Sequence, residues 1–377
     1  MELQKNWGKL SHPAHRLVAW YNLNHRELPW RKTKDPYRIL VSETMLQQTR
    51  VETVIPYYHA FLERFPTVFD LAHAEMDEVL KLWQGLGYYS RARNLKKAAE
   101  AIVEQYDGII PSAVDELLTL PGIGPYTAGA VASIAFDIPA PAVDGNVLRV
   151  VARYFGIDDP VDKPIAKRKI TEIVRSFAEE EKPSLFTQSV MELGATVCTP
   201  KSPSCLICPL KDDCIAFATG KTNELPYKTP KKPKKIIQVI GFWLENEQGI
   251  LLEKRPNRGL LAEMWQLPAI ELADEKFPAS ASEEMLDDLL SKFIFLPSSL
   301  PSPCDLKSYV LVGEEKHIFT HIEWRVRVFR PVGLDLSHIR FAKDRVMVFS
   351  PRQEIKHYVL PRVYEKIIGS ILGERVR

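Results

Sequence analysis

The chain predicts an all-α region followed by a smaller α+β domain, on three features of its sequence. Apolar residues recur at helical spacing through residues 1–220. Residues 221–235, KTNELPYKTPKKPKK, carry six lysines and three prolines against one glutamate and read as a basic surface linker. From residue 236 to 377 the apolar runs become short and strand-like. At about 150 residues per domain, 377 residues suffice for two or three separate cores.

The helical pattern is clearest in HRLVAWY, YRILVSETMLQQ, VIPYYHAFLERF and DEVLKLW, with Pro29, Pro36, Pro66, Pro111 and Pro139 falling at helix starts or in connections. Beyond the linker, KIIQVIGFWLE, GILLEKR, HIFTHIEWRVRVF and DRVMVFS read as strands. SEEMLDDLLSKF and PRVYEKIIGSIL read as helices that interrupt and close them. An apolar share of 45%, a charged share of 26% and a net charge of +2 exclude a disordered or collagenous chain. No apolar run reaches the 18 or so residues of a membrane span. The start, MELQKNWGKLSHP, offers no signal-peptide core. The expectation is a soluble monomer of the bacterial cytosol.

Four of five cysteines crowd into seventeen residues, spaced Cys198-x6-Cys205-x2-Cys208-x5-Cys214. One tight cluster in a long chain reads as a metal site rather than a disulfide scaffold. Spacing alone leaves zinc and an iron–sulfur cube open, although the six-residue first gap makes a wide loop that suits a cube. Cys304 lies far from the cluster and reads as a structural thiol. Upstream, LTLPGIGPYTA places Gly122 and Gly124 in a tight turn before a new helix. There, backbone amides and the helix N-terminus can approach a phosphate. This is a helix-hairpin-helix signature, which grips the DNA backbone without reading sequence.

The hairpin, the aspartate of Val143-Asp144-Gly145-Asn146 about twenty residues on, and the cysteine loop together resemble the endonuclease III superfamily of DNA glycosylases. LPWR (Leu28 to Arg31), SETMLQQT (Ser42 to Thr49), GLGYYSRARN (Gly85 to Asn94) and FTQSVMELGATVCTP (Phe186 to Pro200) resemble its MutY-type adenine-removing branch. The resemblance covers nearly the whole chain and implies a [4Fe–4S] cluster on the four cysteines. It also implies a double-stranded DNA partner carrying adenine opposite 8-oxoguanine or guanine.

Removing an adenine requires extruding it from the stack, protonating its ring, and sheltering a cationic sugar. One carboxyl must therefore stay protonated near neutral pH while another stays ionised. Glu43, between Val41-Ser42 and Met45-Leu46, is the candidate acid because apolar neighbours can raise its pKa. Taken alone it is an ordinary exposed helix glutamate; the resemblance assigns it to protonating adenine at N7 and activating water. Asp144 is the candidate anion. It also suits a helix N-cap, and capping is expected to keep its pKa low. Asn146 orients Asp144 or the water, or is a turn residue. Bifunctional relatives carry a lysine nucleophile at the position of Tyr126. Tyrosine forms no Schiff base, so the resemblance implies a monofunctional enzyme that leaves an abasic site.

Gln48 and Tyr88 match the wedge residues of the family, with a core position as the other reading of Tyr88. Arg31 and Gln188 match its adenine pocket. Leu46, Gln47 and Thr49 fall on the lesion side, and Thr44 has no assigned role. Arg91, Arg93, Lys96 and Lys97 form a run of one sign that fits either phosphate contact or a solvated helix face.

In the second domain, RGLLAEMWQLPA (Arg258 to Ala269) resembles the opening of a Nudix domain, which in this family reads 8-oxoguanine. The acidic SEEMLDDLL lacks the R-E-x-x-E-E spacing of a working Mg²⁺ site, so it reads as a surface helix of a domain without hydrolase activity. Phe319-Thr320-His321 stands where the family carries Phe-Ser-His and is the candidate lesion-reading loop; alternating strand residues give the same letters. Two alternatives remain: an endonuclease III-like glycosylase with lyase activity, and a lesion-binding protein without chemistry.

Overall fold

The computed structural model describes residues 12–230, 233–272, 281–295, 308–336, 339–342 and 344–373. Cys304 falls outside them. The chain divides into two compact units, 1–230 and 231–377. The break therefore comes late in the expected linker. Leu225 is buried, Val161 N donates to Tyr227 O at 3.0 Å and Thr229 N to Asp162 Oδ1 at 2.8 Å, so the chain to residue 229 is anchored on the first unit.

Among the described residues the first unit is wholly helical. Its helices are α1 (Pro13–Asn24), α2 (Pro36–Leu46), α3 (Val51–Arg64), α4 (Val68–His73), α5 (Met76–Leu82), α6 (Ser90–Tyr106), α7 (Val114–Thr119), α8 (Pro125–Phe136), α9 (Gly145–Tyr154), α10 (Pro164–Glu179), α11 (Pro183–Thr196) and α12 (Ile215–Ala218). Proline opens α1, α2, α8, α10 and α11, where its fixed φ suits the first turn and its missing N–H costs nothing. Pro56 instead lies inside α3. In α8 every residue from Thr127 to Ile134 is buried, so this helix is surrounded by protein. It packs on α2, α7 and α11, while α11 packs on α1, α8 and α9. The small residues of α8 and α11 permit that approach. A Cβ on Gly194 of α11 would lie 2.6 Å from Asn146 Cβ, so only glycine lets α11 meet the start of α9. Four helices, α2, α8, α9 and α11, thereby converge around one cavity.

The second unit is α+β. Its strands are β1 (Lys235–Phe242), β2 (Glu245–Asn246), β3 (Gly249–Lys254), β4 (Trp265–Gln266), β5 (Ala269–Leu272), β6 (Ile294–Phe295), β7 (Tyr309–Ile318), β8 (Ile322–Pro331), β9 (Arg340–Phe341) and β10 (Val346–Ser350), with helices α13 (Glu283–Leu290) and α14 (Arg362–Leu372). One sheet has the order β5-β1-β8-β7, with β1 and β8 parallel; a second has the order β10-β3-β2, with β4 also on β3; and β6 pairs β9. HIFTHIEWRVRVF is not one strand. β7 ends at Ile318, the chain reverses, and β8 begins at Ile322, with Phe319 N donating to Ile322 O at 2.8 Å. The β-branched alternation continues through the turn, which hides the reversal from a period-2 reading. α13 is amphipathic rather than merely superficial: Leu286, Leu289 and Leu290 are buried in a core with Phe242, Leu251 and Phe293.

Candidate active site

Asp35 caps α2 by accepting from Tyr37 N at 2.9 Å, and the helix then carries Glu43 inward, where only 5% of its surface stays exposed. The hairpin before α8 is a turn closed by Ile123 N to Leu120 O at 3.1 Å, with Gly122 at φ 75°. A Cβ on Gly122 would lie 2.4 Å from Asn94 Cβ, so left-handed backbone and close packing both demand glycine there. Gly124 is the N-cap of α8 and provides no side chain for the amides of its first turn. Two residues later Tyr126 points into the unit, and its hydroxyl donates to Glu43 Oε2. Asp144 is the N-cap of α9. Its Oδ1 accepts from Val147 N at 2.7 Å and its Oδ2 from Asn146 Nδ2 at 2.9 Å.

Glu43, Tyr126, Asp144, Arg31 and Gln188 line a single cavity of about 160 Å³, with Trp30 on its apolar wall. The two carboxylates, a hundred residues apart in sequence, therefore face the same space. Burial pushes Glu43 up to about 7, against the opposing hydrogen bond from Tyr126 and with a further push from the Asp144 charge. Asp144 departs from expectation. Burial raises it above the ordinary aspartate value, and the hydrogen bonds from Val147 and Asn146 only partly offset that rise. Capping orients this carboxylate without keeping its pKa low.

The pocket holds a buried ion cluster that inspection of the sequence missed. Glu192 on α11 is fully buried. It accepts from Arg26 N at 3.0 Å, Nε at 2.9 Å and Nη2 at 2.8 Å, and from Arg31 Nη2 at 2.7 Å. Burial alone would raise its pKa, but the hydrogen bonds from the two arginines outweigh burial and hold it down at about 2. Arg31 is thereby fixed at the cavity wall, 5.3 Å over the Tyr21 ring. Tyr21 Oη donates to Gln188 Oε1 at 3.2 Å, and Gln188 Nε2 donates to Ser184 O at 3.0 Å, which sets the direction of the amide. The signal was present in two arginines flanking LPW and the glutamate of MELGA, but only folding pairs them.

Gln48 and Tyr88 are exposed and both left-handed, at φ 59° and 49°, so Tyr88 is no core residue. Leu46, Gln47 and Thr49 surround Gln48, with Gln47 Nε2 donating to Thr127 Oγ1 at 3.1 Å. Thr44 is buried, its hydroxyl donating to Leu40 O at 2.7 Å. Within the basic run, Lys97 is exposed, but Arg91 and Lys96 are buried, with Lys96 donating to Ala72 O and to Glu100. Neither presents its charge to a phosphate, because the helical period turns residues 91 and 96 inward together with Leu95.

Cys198, Cys205, Cys208 and Cys214 ring one pocket lined otherwise by apolar residues such as Val150, Leu193 and Leu210, with Arg153 at its side. Four thiolates around one apolar pocket are a donor set that iron or zinc accepts. Arg153 Nη1 lies 3.3 Å from Cys198 Sγ and also donates to Thr199 O at 2.7 Å, so a cation already attends the sulfurs. Burial pushes the Cys208 thiol up to about 12, a cost that bound iron would offset. Arg149 extends the link inward, donating to Cys198 O at 2.7 Å, Gly194 O at 2.7 Å and Asn146 Oδ1 at 2.8 Å.

In the second unit, Thr320 and His321 form the tip of the β7–β8 hairpin and are exposed. Phe319 is partly buried, edge-on to Trp324 at 5.2 Å and to His317 at 4.6 Å. Lys234 Nζ donates to Phe319 O at 2.8 Å and Lys235 N to His321 O at 3.1 Å, holding the tip against β1.

This fold and this site define a class. Residues 41–176 match the family model of the HhH-GPD superfamily base excision DNA repair protein, 198–214 the iron-sulfur binding domain of endonuclease III, and 239–370 the NUDIX domain. A thermostable thymine-DNA glycosylase of known structure is 29% identical with a TM-score of 0.50, covering 55% of this chain and 95% of its own. An adenine DNA glycosylase of Buchnera aphidicola (strain Bp) is 37% identical over 256 residues, covering 67% of this chain and 72% of that protein. That of Arabidopsis thaliana is 37% identical over 353 residues, covering 83% of this chain, which spans 56% of the plant protein. The chain belongs to the adenine DNA glycosylase family, which carries a [4Fe–4S] cluster, and its match to the iron-sulfur binding domain spans all four clustered cysteines.

Proposed function

We propose that this protein acts on double-stranded DNA, excising adenine paired with 8-oxoguanine or with guanine and leaving an abasic site. The observation that carries the reading is the convergence of Glu43, Tyr126 and Asp144 on one cavity. The hairpin amides around Gly122 and Gly124 hold the backbone phosphates. Gln48 and Tyr88 enter the stack as the adenine leaves it. In the pocket, Arg31 and Gln188 face the polar edge of the base while Trp30 packs on its plane.

Glu43, protonated in the free protein near neutral pH, gives its proton to the adenine ring at N7 and so makes the base a competent leaving group. Tyr126 holds the carboxyl in place by donating to the oxygen that is not the donor. The N-glycosidic bond breaks with its electron pair going to adenine, and the sugar becomes an oxocarbenium-like cation. Asp144, oriented by Asn146 and the first turn of α9, stabilises that charge. Water adds to the sugar carbon and gives its proton to Glu43, which restores the acid. With a phenol at position 126, no amine stands ready to form a Schiff base, so the reaction ends at the abasic site. The four cysteines hold the cluster as a structural element next to the DNA-binding helices, and no step passes through it. The tip at Phe319, Thr320 and His321 reads 8-oxoguanine. We further propose that the protein works as a monomer in the bacterial cytosol, at the nucleoid.

The test is a duplex carrying adenine opposite 8-oxoguanine, resolved on a denaturing gel with and without alkaline workup. Strand breaks only after alkali are expected. Breaks without alkali would overturn the monofunctional assignment, and intact strands under both treatments would overturn excision.

A further inference from the structure

Arg91 is a buried cation with no carboxylate partner among the described residues, and only 8% of its surface is exposed. Its Nη1 donates to Thr44 O at 2.9 Å, Met45 O at 2.7 Å and Gln47 O at 2.6 Å. Its Nη2 donates to Thr49 Oγ1 at 3.1 Å, Gly87 O at 3.0 Å and Leu86 O at 3.3 Å. The guanidinium also lies 5.4 Å over the Trp83 ring and 5.5 Å over Tyr88. Burial lowers its pKa to about 10, so it remains charged at neutral pH.

These acceptors belong to two chain segments that this side chain's fork joins. One is the frayed end of α2 with its following turn, whose last carbonyls have no partner in their own helix and suit a cation. The other is the loop before α6. Each segment carries one of the exposed left-handed residues, Gln48 and Tyr88, directly beside an acceptor of Arg91. Holding two non-glycine residues in that conformation costs about 1 kcal/mol or more each, so the surroundings must impose it. A planar fork with fixed donors can address both segments at once, whereas an ammonium is a single point.

We propose that Arg91 is a positioning residue for base extrusion: it pins the Gln48 turn and the Tyr88 loop to one another so that both enter the stack as one preformed wedge. The proposal rests on the reading of these residues as the wedge of an adenine glycosylase. It separates extrusion from bond cleavage, since the pin acts on the first and not on the second.

The experiment compares the full-length wild type with Arg91→Lys in single-turnover excision on two duplexes. One holds adenine paired with 8-oxoguanine; the other holds it as an unpaired single-base bulge, already extruded. Arg91→Lys should lose at least tenfold on the paired adenine and less than threefold on the bulge. A 2-aminopurine placed beside the paired adenine should show a slowed rise in fluorescence by the same factor. Equal loss on both duplexes, or no loss on either, would overturn the proposal. Should Arg91→Lys fail to fold by melting and cluster absorbance, Arg91→Gln, whose amide can donate to one segment but not to both, takes its place on the same two duplexes. Loss of about threefold on the pair and none on the bulge supports the pin, and any other pattern removes it. A wild type inactive on both duplexes would sink the functional reading instead.

Discussion

Glu43 and Asp144 share one cavity but differ in what surrounds them, and that difference suits them to the two roles proposed. Among the described residues Glu43 receives one hydrogen bond, from the half-buried phenol of Tyr126, whereas Asp144 receives a backbone amide and the Asn146 amide. Excision should fall as pH rises through about 7, because the acid form of Glu43 is lost there. On the acid side it should fall as Asp144 takes up a proton, at a higher pH than an ordinary aspartate, because burial raises it. A bell-shaped profile of single-turnover rates checks both limbs. Glu43→Gln should lower the rate by about 10²–10⁴-fold with duplex binding intact. Glu43 also has a signed effect on stability. Its pKa is higher in the fold than in the unfolded chain, so the stability it contributes is present below the unfolded value and lost as pH rises through about 7. Melting curves from pH 5 to 8 should therefore flatten in Glu43→Gln.

At the scale of elements, the hairpin between α7 and α8 makes two demands on one residue. Gly122 needs a left-handed backbone and has Asn94 against the place where a Cβ would sit. Gly122→Ala should cost about 1–2 kcal/mol from the backbone alone, and forcing Asn94 aside should shift the amides that face phosphate. Titration with undamaged duplex should show affinity reduced by about tenfold, and a lower melting temperature should accompany it; unchanged affinity would remove the hairpin from the DNA contact. Most elements were legible in advance because each carries a local signal, such as Pro36 after a capping Asp35, or Gly122-Ile123-Gly124 before α8. The β7–β8 turn was not, because Thr320-His321 carries none of the glycine or asparagine that usually marks a tight reversal. Lys96 and Arg91 were misjudged for a similar reason. A run of like charges on a helix announces its sign, while burial depends on what the helix packs against.

At the scale of the molecule, each unit has its own core. The helical unit holds Glu43, Asp144 and the cysteine loop, while the second unit presents the exposed β7–β8 tip. His321→Ala should leave folding unchanged, since the tip is exposed, and should reduce the preference for adenine opposite 8-oxoguanine over adenine opposite guanine by about tenfold. Comparing single-turnover rates on the two duplexes checks this, and a preserved ratio would take the reading role away from the tip.

The helical and α+β units, the cysteine loop, the hairpin and the candidacy of Glu43 and Asp144 were readable from the letters alone, because residue type, spacing and turn chemistry are local. Folding alone brings these two carboxylates to one cavity, gathers Arg26 and Arg31 on Glu192, and buries Arg91 between the end of α2 and the loop before α6. It also makes burial outweigh capping at Asp144. Pairing and desolvation depend on which groups fold together and how much water they exclude, and neither is written in the order of residues along a single segment.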